Sequence, residues 1–284
     1  MDTELDQASA RRVVDHGSMR NLSPTKVESA MLCALAMKFR YVDRVPEMAS
    51  GVMLAGRAVH AVLEAALRRI LAGGTLMSAQ DMDDLYLPTW NRETAEEEGK
   101  ESFLGWNYDD ETEEVVREES RALVRIAREE ILPKIKPRLV EHRLEWSIPC
   151  EGGAVPMVGY LDLLEEDGVL SDWKTTAGKV SARAKTTWMQ FAGYAMPLSE
   201  DMGREVIEAR KIFLVRGKRP RIEIAPFTIV PQQRAWFAHC AKEVWKSTRA
   251  GAYVPNTNGW WCTKKFCGFY SAVCPYGAVA KGDE

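Results

Sequence analysis

At 284 residues, with 46% hydrophobic and 28% charged side chains, the chain is long enough to bury a full core and too apolar to be largely disordered. A net charge of −3 excludes a uniformly basic surface, so any phosphate-binding face must be local. No stretch approaches the roughly 20 uninterrupted apolar residues of a membrane span, and the start, "MDTELDQASARR", lacks the apolar centre of a secretory signal. A cytoplasmic protein with no membrane partner and reduced cysteines is therefore expected.

Residues 1–20 are polar and irregular and read as a loose segment ahead of one domain, 21–284. That domain divides into a helical part (21–140), a sheet core (141–230) and a C-terminal helix with a cysteine cluster (231–284). In "LSPTKVESAMLCALAMKFRYV" Ser23 is placed to cap a helix and Pro24 to occupy its first turn, with Cys33 inside it. A second helix, "GRAVHAVLEAALRRILAGG", starts near Gly56, sets His60, Leu63 and Leu67 on one face and stops at Gly73 and Gly74. Residues 75–110 read as short helices and loops. From Glu111 to Leu132 an amphipathic helix turns Val116, Leu123, Ile126 and Ala127 inward until Pro133 ends it. The carboxylates crowded between Glu93 and Glu119 are read as a solvated face.

From Arg143 the period changes to that of strands: "LEWSIPC", "VPMVGYLDLL" and "GVLSDWKTT". "TTWMQFAGYAMPL" returns to helix, "KIFLVRGKRPRIEIAPFTIV" is a hairpin with a basic turn, and a helix from about Pro231 to Arg249 precedes the tail. This order predicts a mixed α/β fold, a central mixed β-sheet flanked by helices.

The segment "GYLDLLEEDGVLSDWKTT" places charges where a plain core hairpin would carry neutral residues. A two-residue Asp167-Gly168 turn would pair Asp162 with Trp173, whereas a three-residue loop, Glu166-Asp167-Gly168, with Gly168 left-handed, pairs Glu165 with Val169 and sets Asp162 opposite Asp172. Lys174 then shares their face. Two carboxylates within roughly 5 Å need a proton or a cation between them, and a hard divalent ion is the natural occupant. Lys174 beside it would orient or deprotonate water and offset charge on a phosphate. Spacing alone also allows a plain surface salt bridge. His60 on an apolar helical face, Gln190 and Tyr194 at i, i+4, and Glu145 one strand earlier extend the set, although His60 alone reads as a core histidine and Glu145 alone as an exposed strand residue.

"WWCTKKFCGFYSAVC" gives three cysteines, Cys262, Cys267 and Cys274, which with the distant Cys33 can form a four-thiolate site. Spacing does not choose between zinc and an iron–sulfur cluster. Cys150 and Cys240 have no such partners and read as buried or inert. Trp260 and Trp261 either stack on unpaired bases or cover the cysteine site, and covering is the expectation. Arg216, Lys218, Arg219 and Arg221 are candidate phosphate contacts, with a solvated turn as the alternative.

In order from Ser23 to Cys274, "SPTKVESAMLC", "GRAVH", "GYLD", "SDWK", "QFAGY" and the C-terminal cysteines resemble the RecB-like nucleases of the PD-(D/E)XK superfamily. The resemblance is to the iron–sulfur group that includes the AddB nuclease domain and CRISPR-associated and phage exonucleases. It implies a restriction-endonuclease-like core with a helical N-terminal elaboration and an iron–sulfur tail. It further implies Mg²⁺ or Mn²⁺ held by His60, Asp162, Asp172 and the backbone carbonyl of Trp173, with Lys174 as catalytic lysine and Gln190 and Tyr194 helping to place DNA. Glu145 lies in a region where relatives carry an acidic residue. A [4Fe–4S] cluster on Cys33, Cys262, Cys267 and Cys274 is implied, zinc being the alternative. The expected activity is that of a metal-dependent DNA exonuclease with little sequence preference, in recombination, repair or phage DNA processing. No G-x-x-x-x-G-K-[ST] loop is present, so the partners expected are DNA with free ends and a separate helicase or recombination protein. The rival readings are a non-catalytic nucleic-acid-binding subunit and a zinc-stapled interaction protein.

Overall fold

The structure, a computed structural model, describes residues 19–46, 50–95, 111–264, 266–270 and 273–282. The loose segment expected at the N-terminus lies outside them up to residue 18, as does the 96–110 part of the acidic run.

Helix α1 (Pro24–Leu32) starts as its sequence dictates, with the Ser23 hydroxyl accepting the Lys26 N–H at 3.1 Å and Pro24 in the first turn. It does not run on through Cys33 as expected. Cys33 is extended (φ −159, ψ 108) and separates α1 from α2 (Ala34–Tyr41). A long-range contact accompanies the break: the Asn256 N–H donates to Cys33 Sγ at 3.4 Å, and the Asn256 side chain donates to the Leu32 carbonyl at 3.0 Å. Helix α3 (Gly51–Leu71) ends at a left-handed Gly73, φ +83.

Where short helices and loops were expected, α4 (Ala79–Ala95) is one helix with Pro88 inside it. Met82, Tyr86 and Trp90 recur at i, i+4, i+8 and are buried, and that apolar stripe outweighs the proline. Helix α5 (Glu113–Ile126) is capped by Thr112 and buries Val116, Leu123 and Val124. It relaxes into a π turn (Ala127–Ile131) and a 3-10 turn (Leu132–Lys134), so Pro133 sits inside the last turn rather than ending the helix.

Strands β1 (Pro137–Cys150), β2 (Gly153–Glu165) and β3 (Leu170–Ala177) form an antiparallel run, with β1 beginning six residues before Arg143. Helices α6 (Ala182–Thr186) and α7 (Met189–Met202) then cross to β4 (Glu208–Arg216), which lies parallel to β3, and β5 (Arg221–Thr228) returns antiparallel. The sheet is mixed, in the order β1-β2-β3-β4-β5. Helix α8 (Pro231–Arg249) and a short α9 (Gly277–Lys281) complete the chain.

Helices cover both faces of the sheet. One core joins Val59, Leu63, Trp90 and Leu123 of α3 to α5 with Leu163, Trp173 and Ile212 of the strands. The other joins Val27, Phe191, Leu198 and Phe237 of α1, α7 and α8 with Leu144, Leu161 and Leu170. Each such buried apolar side chain contributes about 1.5–3 kcal/mol. Strands β2 and β3 pair only at Leu163–Ser171 and Leu164–Leu170, and beyond that point they part. Leu22 uses the free edge this leaves: its N–H donates to the Pro156 carbonyl (2.9 Å) and its carbonyl accepts from Val158 (2.8 Å).

The acidic run is not solely a solvated face. Glu111 and Glu119 reach Arg216, with Arg216 Nη1 donating at 2.7 and 3.2 Å and Nη2 donating to Glu111 at 2.5 Å. Arg216 is 5% exposed, which removes it from the basic turn and corrects its reading as a phosphate contact. Lys218 and Arg219 remain exposed in the turn, while Arg221 donates to Glu223 and to the Gly178 carbonyl. Arg216→Ala leaves two carboxylates facing an emptied, buried site and should cost about 3–5 kcal/mol, whereas Lys218→Ala should change stability by less than about 0.5 kcal/mol. Urea unfolding of the two variants checks this.

Candidate active site

The register deduced from the hairpin is the one observed. The Glu165 N–H donates to the Val169 carbonyl (3.0 Å), the Gly168 N–H donates to the Glu165 carbonyl (2.9 Å), and Gly168 has φ +94. One step past the last ladder pair, side chains replace backbone: the Asp162 Oδ2 accepts the Trp173 N–H at 2.8 Å. The parting of β2 and β3 thus opens just where the two carboxylates stand.

Asp172 is 3% exposed. Lys174 Nζ lies 2.9 Å from its Oδ1 and 2.8 Å from its Oδ2, but only the bond to Oδ1 has hydrogen-bond geometry. Oδ2 is a buried acceptor with no hydrogen bond among the described residues, which is the position a cation would satisfy. Burial, then the Asp172 charge, pushes the Asp162 carboxyl well above the usual range. Burial works against the Lys174 ammonium, yet Asp172 and Asp162 together hold its pKa above the ordinary value. Lys174 is therefore a charged donor as it stands.

His60 reaches the same place from α3. Gly56, one turn earlier, lets that helix approach β3, since a Cβ there would lie 2.8 Å from Thr175 Oγ1. Burial and the neighbouring Lys174 lower the imidazole to about 4, opposed by Asp172 and by a hydrogen bond that the ring donates to the Trp173 backbone. Near neutral pH the ring is uncharged, the form that binds metal. His60, Asp162, Glu64 and Glu141 line one groove of about 710 Å³ with Arg57 and Thr175.

From the other side, Tyr194 donates to the Tyr160 carbonyl at 2.7 Å and is itself bonded by Gln190. Its ring occupies the space a side chain on residue 159 would need, 2.5 Å from an ideal Cβ, so the glycine of "GYLD" is a steric requirement. The Q-x-x-x-Y pair thereby fixes β2 just before Asp162.

Glu145 is not brought to this site: it is exposed and pairs with Arg143. Three residues that sequence reasoning missed are. Glu141 lies in the groove at φ +42, and burial, with the nearby Glu64, raises it to about 7. Lys211 is Asp172's partner in the parallel ladder, and its buried ammonium donates to the Ala184 carbonyl at 2.9 Å. Burial lowers the Lys211 pKa, opposed by Asp172. Glu28, on α1, is raised by burial, against the opposing pull of Lys211 and Lys174. A lysine at the head of the apolar run "KIFLV", inside a strand, was the one legible signal among the three.

The cysteines divide as their spacing suggested. Cys33, Cys262, Cys267 and Cys274 line a single cavity with Phe39, Asn256 and Trp261. All six described cysteines are free thiols. Burial raises the Cys267 thiol, and Cys33 and Cys274 add to the shift. Four thiols from the two ends of the chain thus share the lining of one cavity, a donor set of the type a four-thiolate group takes, although they do not stand at ligating distance of one another. Among the described residues, no three His, Cys, Asp or Glu side chains stand close enough to hold one metal ion between them. Cys240 is buried in the core and Cys150 packs against it. The two tryptophans part company: Trp261 lines the cysteine cavity, whereas Trp260 is 54% exposed.

The fold is shared with solved structures. A protein from Eubacterium rectale, assigned provisionally as an exonuclease, superposes with a TM-score of 0.56 at 12% identity, covering 92% of each chain. SSO0001 superposes with a TM-score of 0.34 at 12% identity over 89% of this chain and 95% of its own, too weak a likeness to argue from. No curated protein matches the sequence. The family model for the PD-(D/E)XK nuclease superfamily matches residues 21–275, nearly the whole chain, and its span takes in the parted strands, the carboxylate pair and Lys174. The chain belongs to the PD-(D/E)XK nuclease superfamily.

Proposed function

We infer that the chain is a metal-dependent DNA exonuclease that hydrolyses phosphodiester bonds from free ends with little sequence preference. The observation that carries this reading is the orphaned Oδ2 of the buried Asp172, facing Lys174 beside Asp162. Membership of a nuclease superfamily supports hydrolysis in general, and the Eubacterium rectale neighbour supports an exonuclease in particular.

His60, Asp162, Asp172 and the Trp173 carbonyl would hold Mg²⁺ or Mn²⁺, with Glu141 rather than Glu145 as the nearby acid. When bound, the ion would supply charge to the carboxylates and acidity to a water. Asp162 keeps one oxygen on the Trp173 N–H, which fixes its carboxylate plane and leaves the other oxygen to face the groove. Asp172 anchors the Lys174 ammonium, which can then donate to a non-bridging phosphate oxygen and offset the charge gathered there in an in-line displacement. Neutral His60 presents a lone pair rather than a proton. Gln190 and Tyr194 hold the strand that carries Asp162, a positioning role.

The four-cysteine cavity supports a [4Fe–4S] cluster in the RecB-like manner, with zinc as the alternative occupant. Its part would be to tie α1 to the C-terminal segment, and no electron transfer is required of it. Anaerobically purified protein should be brown, and Cys33→Ser or Cys274→Ser should lose both the visible absorption and several degrees of thermal midpoint. A colourless protein that binds zinc would contradict the cluster.

The activity is tested with end-labelled linear single- and double-stranded DNA and a closed circle, in Mg²⁺ or Mn²⁺. Wild type should shorten the linear substrates and spare the circle, and Asp172→Ala and Lys174→Ala, both folded, should be slower by about a hundredfold or more. Absent cutting, or cutting that survives both substitutions, would leave the non-catalytic nucleic-acid-binding subunit as the better reading.

A further inference from the structure

Beside α6 the surface carries an aromatic group that the hydrolytic reading leaves unexplained. Trp260 and Phe266 are 54% and 57% exposed. Their rings meet edge to face, with centroids 5.0 Å apart at 80°, and Trp261 meets Trp260 at 81°. Neither neighbour is stacked parallel on Trp260. The Arg183 guanidinium sits over the same ring, 5.2 Å from its centroid.

Arg183 ties this group to the site. It belongs to α6, whose Ala184 carbonyl accepts from buried Lys211, the ladder partner of Asp172. Its charge acts on Glu28, which also feels Lys174 and Asp172. On the other side, Cys262 and Trp261 hold Trp260 to the wall of the cysteine cavity. An exposed flat ring with a cation on it therefore lies between α6, which Lys211 ties to the site, and the wall of the cysteine cavity.

Resting on the nuclease reading, we propose that Trp260, with Phe266 and Arg183, is a stacking platform for unpaired bases of the strand being cut. The substrate would be a single-stranded DNA end. Bases inside a duplex have both faces covered by their neighbours, so a lone aromatic face takes only a base that has left the stack. Arg183 adds a positive charge facing the phosphates on either side of that base. Trp261 does the covering of the cysteine site, which leaves Trp260 for this role.

The test is equilibrium binding in EDTA, so that no strand is cut. The probes are a labelled oligothymidylate and an abasic oligomer with the same number of phosphates. Stacking contributes roughly 1–3 kcal/mol per base, so wild type should bind the oligothymidylate about tenfold or more tightly than the abasic probe. Trp260→Ala should remove most of that preference, and Trp260→Phe should keep most of it. Trp260→Leu keeps apolar cover without a flat face and should behave like Ala. Equal binding of the two probes by wild type, a preference that survives Trp260→Ala, or a Leu variant that matches wild type would overturn the platform. So would concentration-dependent self-association abolished by Trp260→Ala with base preference intact, which would mark the patch as a contact between copies. A protein that prefers bases yet never cuts DNA in Mg²⁺ sinks the nuclease reading and leaves the platform. One that cuts but shows no base preference does the reverse.

Discussion

Two carboxylates and an ammonium are held at the place where β2 and β3 stop pairing, and much of the fold can be understood as the means of keeping them there. Buried like charges repel, and an apolar pair of strands would close the gap with ordinary ladder bonds. Here Asp162 takes the Trp173 N–H in place of a backbone carbonyl, so the strands part without orphaning that donor. Lys174 partly compensates Asp172, and one carboxylate oxygen, Oδ2, touches the ammonium without a hydrogen bond of its own among the described residues. Such a site is costly in isolation and is maintained by both cores around it: α3 packs on one face through Gly56, and α7 on the other through Gly159 and Tyr194.

That arrangement was partly readable in the sequence at the hairpin: of the two loop lengths the turn allows, the three-residue one seats both aspartates together, and the structure selects it. The strand-helix-strand order likewise announced a mixed sheet. Less legible were features decided by distant contacts. Nothing local in "SAMLCALAM" breaks a helix, and the break at Cys33 is accompanied by bonds to Asn256, a residue more than two hundred positions away. Arg216 looked like part of a basic turn because its two glutamate partners are distant in sequence, Glu119 on α5 and Glu111 just ahead of it. Glu141 escaped because its position depends on an uncommon left-handed backbone at a non-glycine residue, and Glu145, four residues on, fitted an expected acidic position equally well.

The cysteine cavity and the active site meet in α1. Its Glu28 feels the charges of Lys211 and Lys174, and the residue that ends it is Cys33. A group bound by the four thiols would therefore hold in register the helix that shapes one wall of the site. The same tail brings Trp260 against Arg183 of α6.

The central claim is that the buried carboxylate pair is a divalent-cation site. Because Asp162 is raised by burial and by Asp172, and Glu141 lies at about 7, protons occupy these groups in the metal-free protein near neutral pH. A cation prefers the ionised forms, so binding must release protons and must strengthen as pH rises through this range. Calorimetric titration of Mn²⁺ into metal-free protein, repeated in buffers of different ionisation enthalpy, reads both quantities. The account predicts saturable binding with proton release that diminishes at higher pH, and its loss in Asp162→Asn. Binding without proton release, or unchanged by that substitution, would contradict it.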